Sequence, residues 1–356
     1  MFIRYMWGVL LCSLILSAVE LSEKYSAYRY VFDEFDVEST YIDNSDFRHF
    51  VTKHEKRLRR FYMRSLKQKE DLARLLRQKL LEDDLSDLFL YLSIVESGLK
   101  ADAVSNKKAA GLWQFMPKTA GDYKLEVHGC VDERCDPVSA TEAAIKHLRR
   151  LYEKFGKWYL AVLAYNCGEG RLSRAIERAG TDELEILIDP QAKYLPKETR
   201  EYIQKILLVA MIGENEIVSM TSSDEEKGLI QVEVKGGTKL ADIAKMLEMS
   251  EKKLRMLNPA LKNGVVPSRY RLLIPEDKMV LFYMRYTYEE KQVTLKPYLI
   301  SHKVILGDTL EGIAKKYETT VEEIALANQL KGLFLEVNTS LLIPVNKEVF
   351  ERFLQR

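Results

Sequence analysis

Beyond residue 228 the sequence repeats itself, and self-similarity at a fixed offset commits a chain to copies of one supersecondary unit. LADIAKMLEMSEKKLRMLN, from Leu240, lies over LEGIAKKYETTVEEIALAN, from Leu310. An offset of 70 pairs Leu240 with Leu310, Ile243 with Ile313, Ala244 with Ala314, Lys245 with Lys315 and Asn258 with Asn328. One residue is then lost, and LLIP at 272–275 falls on LLIP at 341–344. Each copy reads as a short strand (QVEV, HKVI), two short helices and a closing strand ended by Pro275 or Pro344. Residues 229–276 and 301–346 are therefore expected to form two small α+β modules of β-α-α-β order.

The chain before the repeats has a different period. From residue 44 to 96, apolar residues recur at three and four with charge between them, interrupted near Glu82 to Ser86. SATEAAIKHLRRLYEKFG, WYLAVLAYN, GRLSRAIERAG and TREYIQKILLVAMIG continue the helical pattern, and strand-like runs are scarce. The expected fold is multidomain: one mainly α domain, a linker at TSSDEEKG (221–228), then the two modules. The composition, 47% apolar with 30% charged residues, suits packed domains, and a formal charge of +1 gives no overall pull toward nucleic acid. The basic run from Lys53 to Lys79 reads as solvated helix faces.

MFIRYMWGVLLCSLILSAVE, residues 1–20, has an early Arg4, an apolar run from Met6 to Val19 and small residues at its end, the layout of an export signal. The run is shorter than the roughly 20 residues of a membrane span. Cleavage is therefore expected over anchoring, with membrane association left open. Cys12 follows two leucines, where a lipid-modified cysteine would want a small residue. Cys130 and Cys135, in HGCVDERCDP, are near enough to pair across a tight loop in an oxidising compartment. Cys167 has no sequence-adjacent base and reads as a small buried or free thiol.

The segment YLSIVESGLK places Glu96 at the end of an oily run. If LSDLFLYLSIVE is a helix started by Ser86 or Asp87, then at 100° per residue Leu85, Leu88, Phe89, Leu92 and Glu96 share an arc of about 100°. A carboxyl on that stripe loses solvent, its pKa rises, and a carboxylic acid that keeps its proton can deliver it to a leaving group. Gly98 would cap the helix, and a glutamate in a last turn could instead reach water.

Four ordered motifs bear on that choice: ESG at 96–98, GLWQFMPKTA at 111–120, AYNCGEGR at 164–171 and YLPKETREY at 194–202. Together they resemble the lysozyme-like lytic transglycosylases, over about residues 85–212, and especially the D-type enzymes with C-terminal LysM repeats. The repeats resemble LysM, a β-α-α-β module that grips N-acetylglucosamine polymers. The second carries GDTLEGIAKKY and LLIP, while the first has GGTKL in place of GDTL and is more degenerate. The implied organisation is a signal at 1–20, a helical N-terminal segment at 21–84, a lysozyme-like domain at 85–220 and LysM modules at 229–276 and 301–346.

The resemblance implies that Glu96 is the single catalytic acid. Ser97, Gln114, Met116, Tyr165, Asn166 and Tyr194 would be substrate-binding, lining the cleft around it. It further implies cleavage of the bond between N-acetylmuramic acid and N-acetylglucosamine with closure of a 1,6-anhydro ring, in the periplasm or envelope of a Gram-negative bacterium. The partner would be peptidoglycan glycan strands. Hydrolysing glycosidases generally use a second carboxylate, for which Asp102, Asp122, Asp132 and Asp136 are candidates; hydrolysis, or wall binding without catalysis, are the rival readings. No metal cluster, phosphate loop or dinucleotide fingerprint appears in the sequence, so no cofactor is expected.

Overall fold

A computed structural model describes residues 21–67, 69–217, 228–287, 296, 298–328, 330, 335 and 337–354. The export signal at 1–20 lies outside the described residues, as does 221–227 of the expected linker. The chain divides into two compact units, one ending at Glu225 and the other starting at Glu226.

The first unit is helical. Its main helices are α1 (Tyr28–Glu34), α2 (Ser45–Leu66), α3 (Glu70–Glu82), α4 (Leu90–Ser97), α5 (Pro117–Asp122), α6 (Pro137–Phe155), α7 (Trp158–Cys167), α8 (Glu169–Ala179) and α9 (Lys197–Ile217). Local chemistry sets several of their starts. Asn44 Oδ1 accepts from the Asp46 and Phe47 amides at 3.0 and 3.1 Å to open α2, and Asp136 does the same for α6 with Val138 and Ser139. The break near residue 84 is real, and α4 begins one turn later than periodicity suggests. Ser86 caps a 3-10 turn, Asp87–Phe89, and the α-helix starts at Leu90.

Two helices run through the core. In α7, Tyr159 to Ala164 are all buried, and in α9 Ile206 to Ile212 are buried without interruption. Helices that are apolar all round belong inside a protein; here α9 packs against α2, α4 and α7, and α7 against α6 and α8 as well.

Residues 21–84 join this same core. Val31, Phe32, Phe35, Phe47, Tyr62 and Leu76 are buried in one cluster with Tyr91, Trp113 and Leu163. Asp36 Oδ2 accepts from the Trp158 amide at 2.7 Å, capping α7 from 122 residues away. Arg77 of α3 pairs with Asp87 and, at 3.0 Å, with Glu214 of α9 and the Tyr91 hydroxyl of α4. The N-terminal helices therefore brace the elements that carry the candidate site.

The second unit holds the two repeats, each a two-stranded antiparallel sheet with two helices. In the first, β1 (Leu229–Glu233) pairs with β2 (Arg271–Pro275), Leu229 opposite Pro275, across α10 (Leu240–Met246) and α11 (Glu251–Leu257). In the second, β3 (Tyr298–Lys303) pairs with β4 (Ser340–Val345), Tyr298 opposite Val345, across α12 (Leu310–Lys316) and α13 (Val321–Asn328), and α14 (Lys347–Leu354) follows. After β2 a helical extension buries Met279 and Phe282, stacks Tyr286 on Phe282 at 4.9 Å, and holds the first module where the Lys235 amide donates to Tyr286 Oη at 2.6 Å. Part of the aromatic segment between the repeats lies outside the described residues. Among the described residues no helix is long and apolar enough to cross a membrane.

Candidate active site

Helix α4 buries Leu90 to Ile94 and ends at Gly98, whose φ of +62° closes the last turn through its amide on the Ile94 carbonyl at 2.8 Å. That stop leaves Glu96 half-buried at the helix end. The Tyr202 hydroxyl, from α9, donates to Glu96 Oε1 at 2.5 Å. Burial pushes the Glu96 carboxyl up; the Tyr202 hydrogen bond opposes the shift, Glu198 adds its negative charge, Lys205 pulls the other way, and the outcome is a pKa of about 7. Burial at the end of this apolar helix is thus the physical cause of a proton held into the neutral range.

Two tyrosines share this environment. Burial first, and then the charge of Glu96, hold the phenols of Tyr165 and Tyr202 well above their ordinary range, so both remain hydrogen-bond donors. Tyr165, on α7, donates to the Trp113 carbonyl at 2.7 Å. Behind it His147 of α6 lies 5.2 Å away, ring to ring, and bonds the Tyr123 hydroxyl through Nδ1 at 2.9 Å. Burial, then the nearby Arg150, pushes His147 down to about 4. A neutral imidazole therefore backs the tyrosine.

The segment GLWQF forms a tight loop closed by the Ala110 and Phe115 backbones. Gly111 has φ +82°, and a Cβ there would stand 1.6 Å from the Arg134 carbonyl oxygen, so only glycine lets the two backbones approach. Trp113 is fully buried, with Nε1 donating to Thr141 Oγ1 at 2.9 Å. Gln114 sits at φ +50°, a conformation uncommon for a side chain, and its Nε2 donates to the Gly111 carbonyl at 2.9 Å. Ser93 Oγ donates to the Leu112 carbonyl at 3.2 Å, tying this loop to α4.

The predicted residues divide as follows. Glu96 and Tyr165 are brought together, and Asn166 follows half-buried on the same helix. Ser97 Oγ donates to the Ser93 carbonyl at 3.1 Å and accepts from the Lys100 amide at 3.3 Å, securing the turn after α4. Met116 is exposed just past the loop. Tyr194 lines a separate groove, beneath the Arg178 guanidinium at 5.6 Å. Tyr202, the last residue of the motif YLPKETREY, is a further site residue that the sequence reading does not identify, because its partner Glu96 lies 106 residues away.

The expected bridge between Cys130 and Cys135 is corrected: the two are not bonded to one another, Cys130 being exposed and Cys135 buried, so their side chains face opposite environments. Cys167 is half-buried and its thiol is pushed up to about 11 by burial, which suits an unreactive side chain. Of the carboxylates considered as a second group, Asp132 is engaged by Arg134 in a buried two-point pair at 2.8 Å, Asp136 caps α6, and Asp102 and Asp122 are exposed. Among the described residues no three His, Cys, Asp or Glu side chains cluster as a metal would require.

Residues 78–188 match the family model of the transglycosylase SLT domain, 228–289 that of the lytic transglycosylase MltD LysM-like domain, and 302–344 that of the LysM domain. Membrane-bound lytic murein transglycosylase D of Escherichia coli K12 is 30% identical over 270 residues, covering 71% of this chain and 59% of its own length. The chain thus spans about three fifths of that relative. A putative tributyltin chloride resistance protein of Alteromonas sp. M-1 is 42% identical over 84 residues, 23% of this chain and 41% of its own. Among solved structures, the lytic transglycosylase Slt of Pseudomonas aeruginosa is similar over 40% of this chain and 24% of its own, at 22% identity and a TM-score of 0.33.

Proposed function

Because the chain carries a transglycosylase SLT domain followed by an MltD-type LysM-like domain and a LysM domain, and is homologous to membrane-bound lytic murein transglycosylase D, we propose that it is a peptidoglycan lytic transglycosylase. The bond cleaved joins N-acetylmuramic acid to N-acetylglucosamine, and the product is a 1,6-anhydromuramoyl end. The enzyme would work in the cell envelope, on the periplasmic side, with its LysM modules on the glycan.

One carboxyl group acts twice. Protonated Glu96 gives its hydrogen to the bridging oxygen as the bond from that oxygen to muramoyl C1 breaks, and the N-acetyl carbonyl of the same sugar covers the positive centre. The Glu96 carboxylate then removes the proton of the muramoyl 6-hydroxyl, whose oxygen bonds to C1, so Glu96 ends as it began and no water is consumed. Tyr202 holds the carboxyl in place and steadies its charged form; Tyr165 and Asn166, on α7, are assigned as partners for the N-acetyl group or the charge. Ser97, Gln114 and Met116 are assigned to the walls of the cleft, and Tyr194 to the neighbouring groove that it lines.

The observation that carries this reading is Glu96 itself, a carboxyl with a pKa of about 7 in the grip of a buried tyrosine. A group poised there can serve as acid and as base in one cycle. Glu198, exposed on the first turn of α9 and acting electrostatically on Glu96, is the observation that favours hydrolysis, since it could activate a water. Mass analysis of digested sacculi separates the two chemistries, because an anhydro end is lighter than a reducing end by one water. Anhydro products are expected from the wild type, and Glu96→Gln is expected to lower the rate by at least about 10³-fold while retaining sacculus binding. Reducing ends, or an active Glu96→Gln protein, would overturn the assignment.

A further inference from the structure

Beside Tyr194 lies a groove of about 470 Å³ whose lining includes six cationic side chains, Arg171, Arg174, Arg178, Lys193, Lys197 and Arg200, and no carboxylate. Helix α8 supplies the first three at spacings of three and four. They therefore share one helix face, beside Ala175, which also lines the groove, and extend about 10 Å along the axis. Like charges so placed repel one another, and packing does not require them, since all three are exposed. Lys197 reaches Glu201 at 3.7 Å. Among the described residues, the other five have no carboxylate partner within ion-pair distance.

A second observation points the same way. Arg200 gives Nη1 to the Asp189 carbonyl at 3.1 Å, but its Nε is buried with no hydrogen-bond partner. A buried guanidinium N–H is costly to leave without an acceptor, and this one belongs to a side chain that lines the groove. The cation set thus retains donor capacity that the protein does not itself use.

The groove is also close to the chemistry. Lys197 begins α9, and Tyr202, which holds Glu96, is five residues farther along, about 7.5 Å on the axis. Resting on the peptidoglycan reading above, we propose that the groove is a subsite for the carboxylate-bearing peptide stems attached to the muramoyl residues. A stem must leave the glycan at the reacting sugar or one near it, and it carries several separated carboxylates. Arginines spread along a helix face match that spacing, where a single anion would call for convergent ones. Tyr194, under Arg178, supplies a flat surface between the cations.

The test compares the full chain with an Arg174→Gln, Arg178→Gln double variant on two substrates, glycan strands that keep their stems and strands stripped of them by an amidase. The ratio of kcat/KM on stem-bearing to stripped strands is expected to fall about tenfold in the variant, through KM. An unchanged ratio, whether both rates drop together or neither does, would overturn the subsite. Binding of a free stem tetrapeptide, followed by calorimetry, decides independently of catalysis. The wild type should bind the acidic peptide and lose it when the carboxylates are amidated, and equal binding of both forms, or equal displacement by polyphosphate, counts against the proposal. Failure of the wild type to cleave either substrate would instead remove the functional reading and leave the peptide measurement to settle the groove.

Discussion

Glu96 makes the stability of the folded chain depend on pH. Its folded pKa of about 7 stands above the ordinary 4.5, so the folded state holds the proton more tightly than the unfolded chain. The resulting stabilisation is complete below about 4.5 and is lost as pH rises through 7, where the half-buried carboxylate must ionise. Glu96→Gln keeps the shape and can still accept from Tyr202, but has no charge to desolvate. The variant should therefore be more stable than the wild type at pH 8, by about 2 kcal/mol, and no more stable at pH 4.5, measured from urea midpoints. A uniform difference at both pH values would mean that the shift is not the cause. His147, pushed down to about 4, contributes in the opposite direction between about 6.5 and 4, and the comparison cancels it because both proteins contain it. The burial of Glu96 at the end of an oily run was legible in the sequence, but the stripe read from Leu85 was not borne out, because the α-helix starts only at Leu90. Tyr202 was not legible, because its contact depends on α9 returning to α4 across 106 residues, and no local pattern encodes that approach.

The repeats show at the scale of elements what a recurring letter does. Asn258 ends α11 and is buried: its Nδ2 donates to the Leu254 and Leu273 carbonyls at 3.0 and 2.8 Å, and its Oδ1 accepts from the Leu273 amide at 2.8 Å. Asn328 makes the same three bonds, to Ile324 and Leu342. One amide thus ties the second helix of each module to its closing strand, which explains why both the asparagine and LLIP survive in register. The GDTL difference also has a physical content. In the second module Asp308 accepts from the Ile305 amide and bonds His302, while Thr309 Oγ1 caps α12 on the Gly312 amide at 3.0 Å. At the matching positions the first module has Thr238 and Lys239, and α10 has no side-chain cap. The order of strands and helices was readable from the repeat, whereas these bonds depend on which backbone groups the packing brings within reach. Asn258→Ala would strand the Leu273 amide in a buried position, so chemical denaturation of the second unit should register a loss of about 2–4 kcal/mol. Asn258→Asp should not rescue it, because a carboxylate cannot donate to the two carbonyls.

For the molecule as a whole, the division after Glu225 would, under the proposed function, separate catalysis from retention. The first unit has its own core, to which residues 21–84 contribute and whose described members all lie between Leu21 and Ile212, so a chain ended at 225 should fold and keep Glu96 in its setting. What it would lose is proximity. Weak sugar sites joined by a tether convert release from an insoluble polymer into a local search, and two millimolar sites can raise avidity by about 10²-fold or more without any new contact at the catalytic centre. Cleavage of short soluble glycan chains by the truncated protein should therefore match the full chain within about twofold, while the fraction bound to sacculi in a pelleting assay, and the rate of their solubilisation, should fall at least about tenfold. The gap should be widest at low enzyme concentration, where retention limits the encounter, and should narrow as the enzyme approaches saturation of the wall. A deficit of equal size on soluble chains would mean instead that the repeats support the catalytic unit, and equal sacculus binding by both proteins would remove their retaining role.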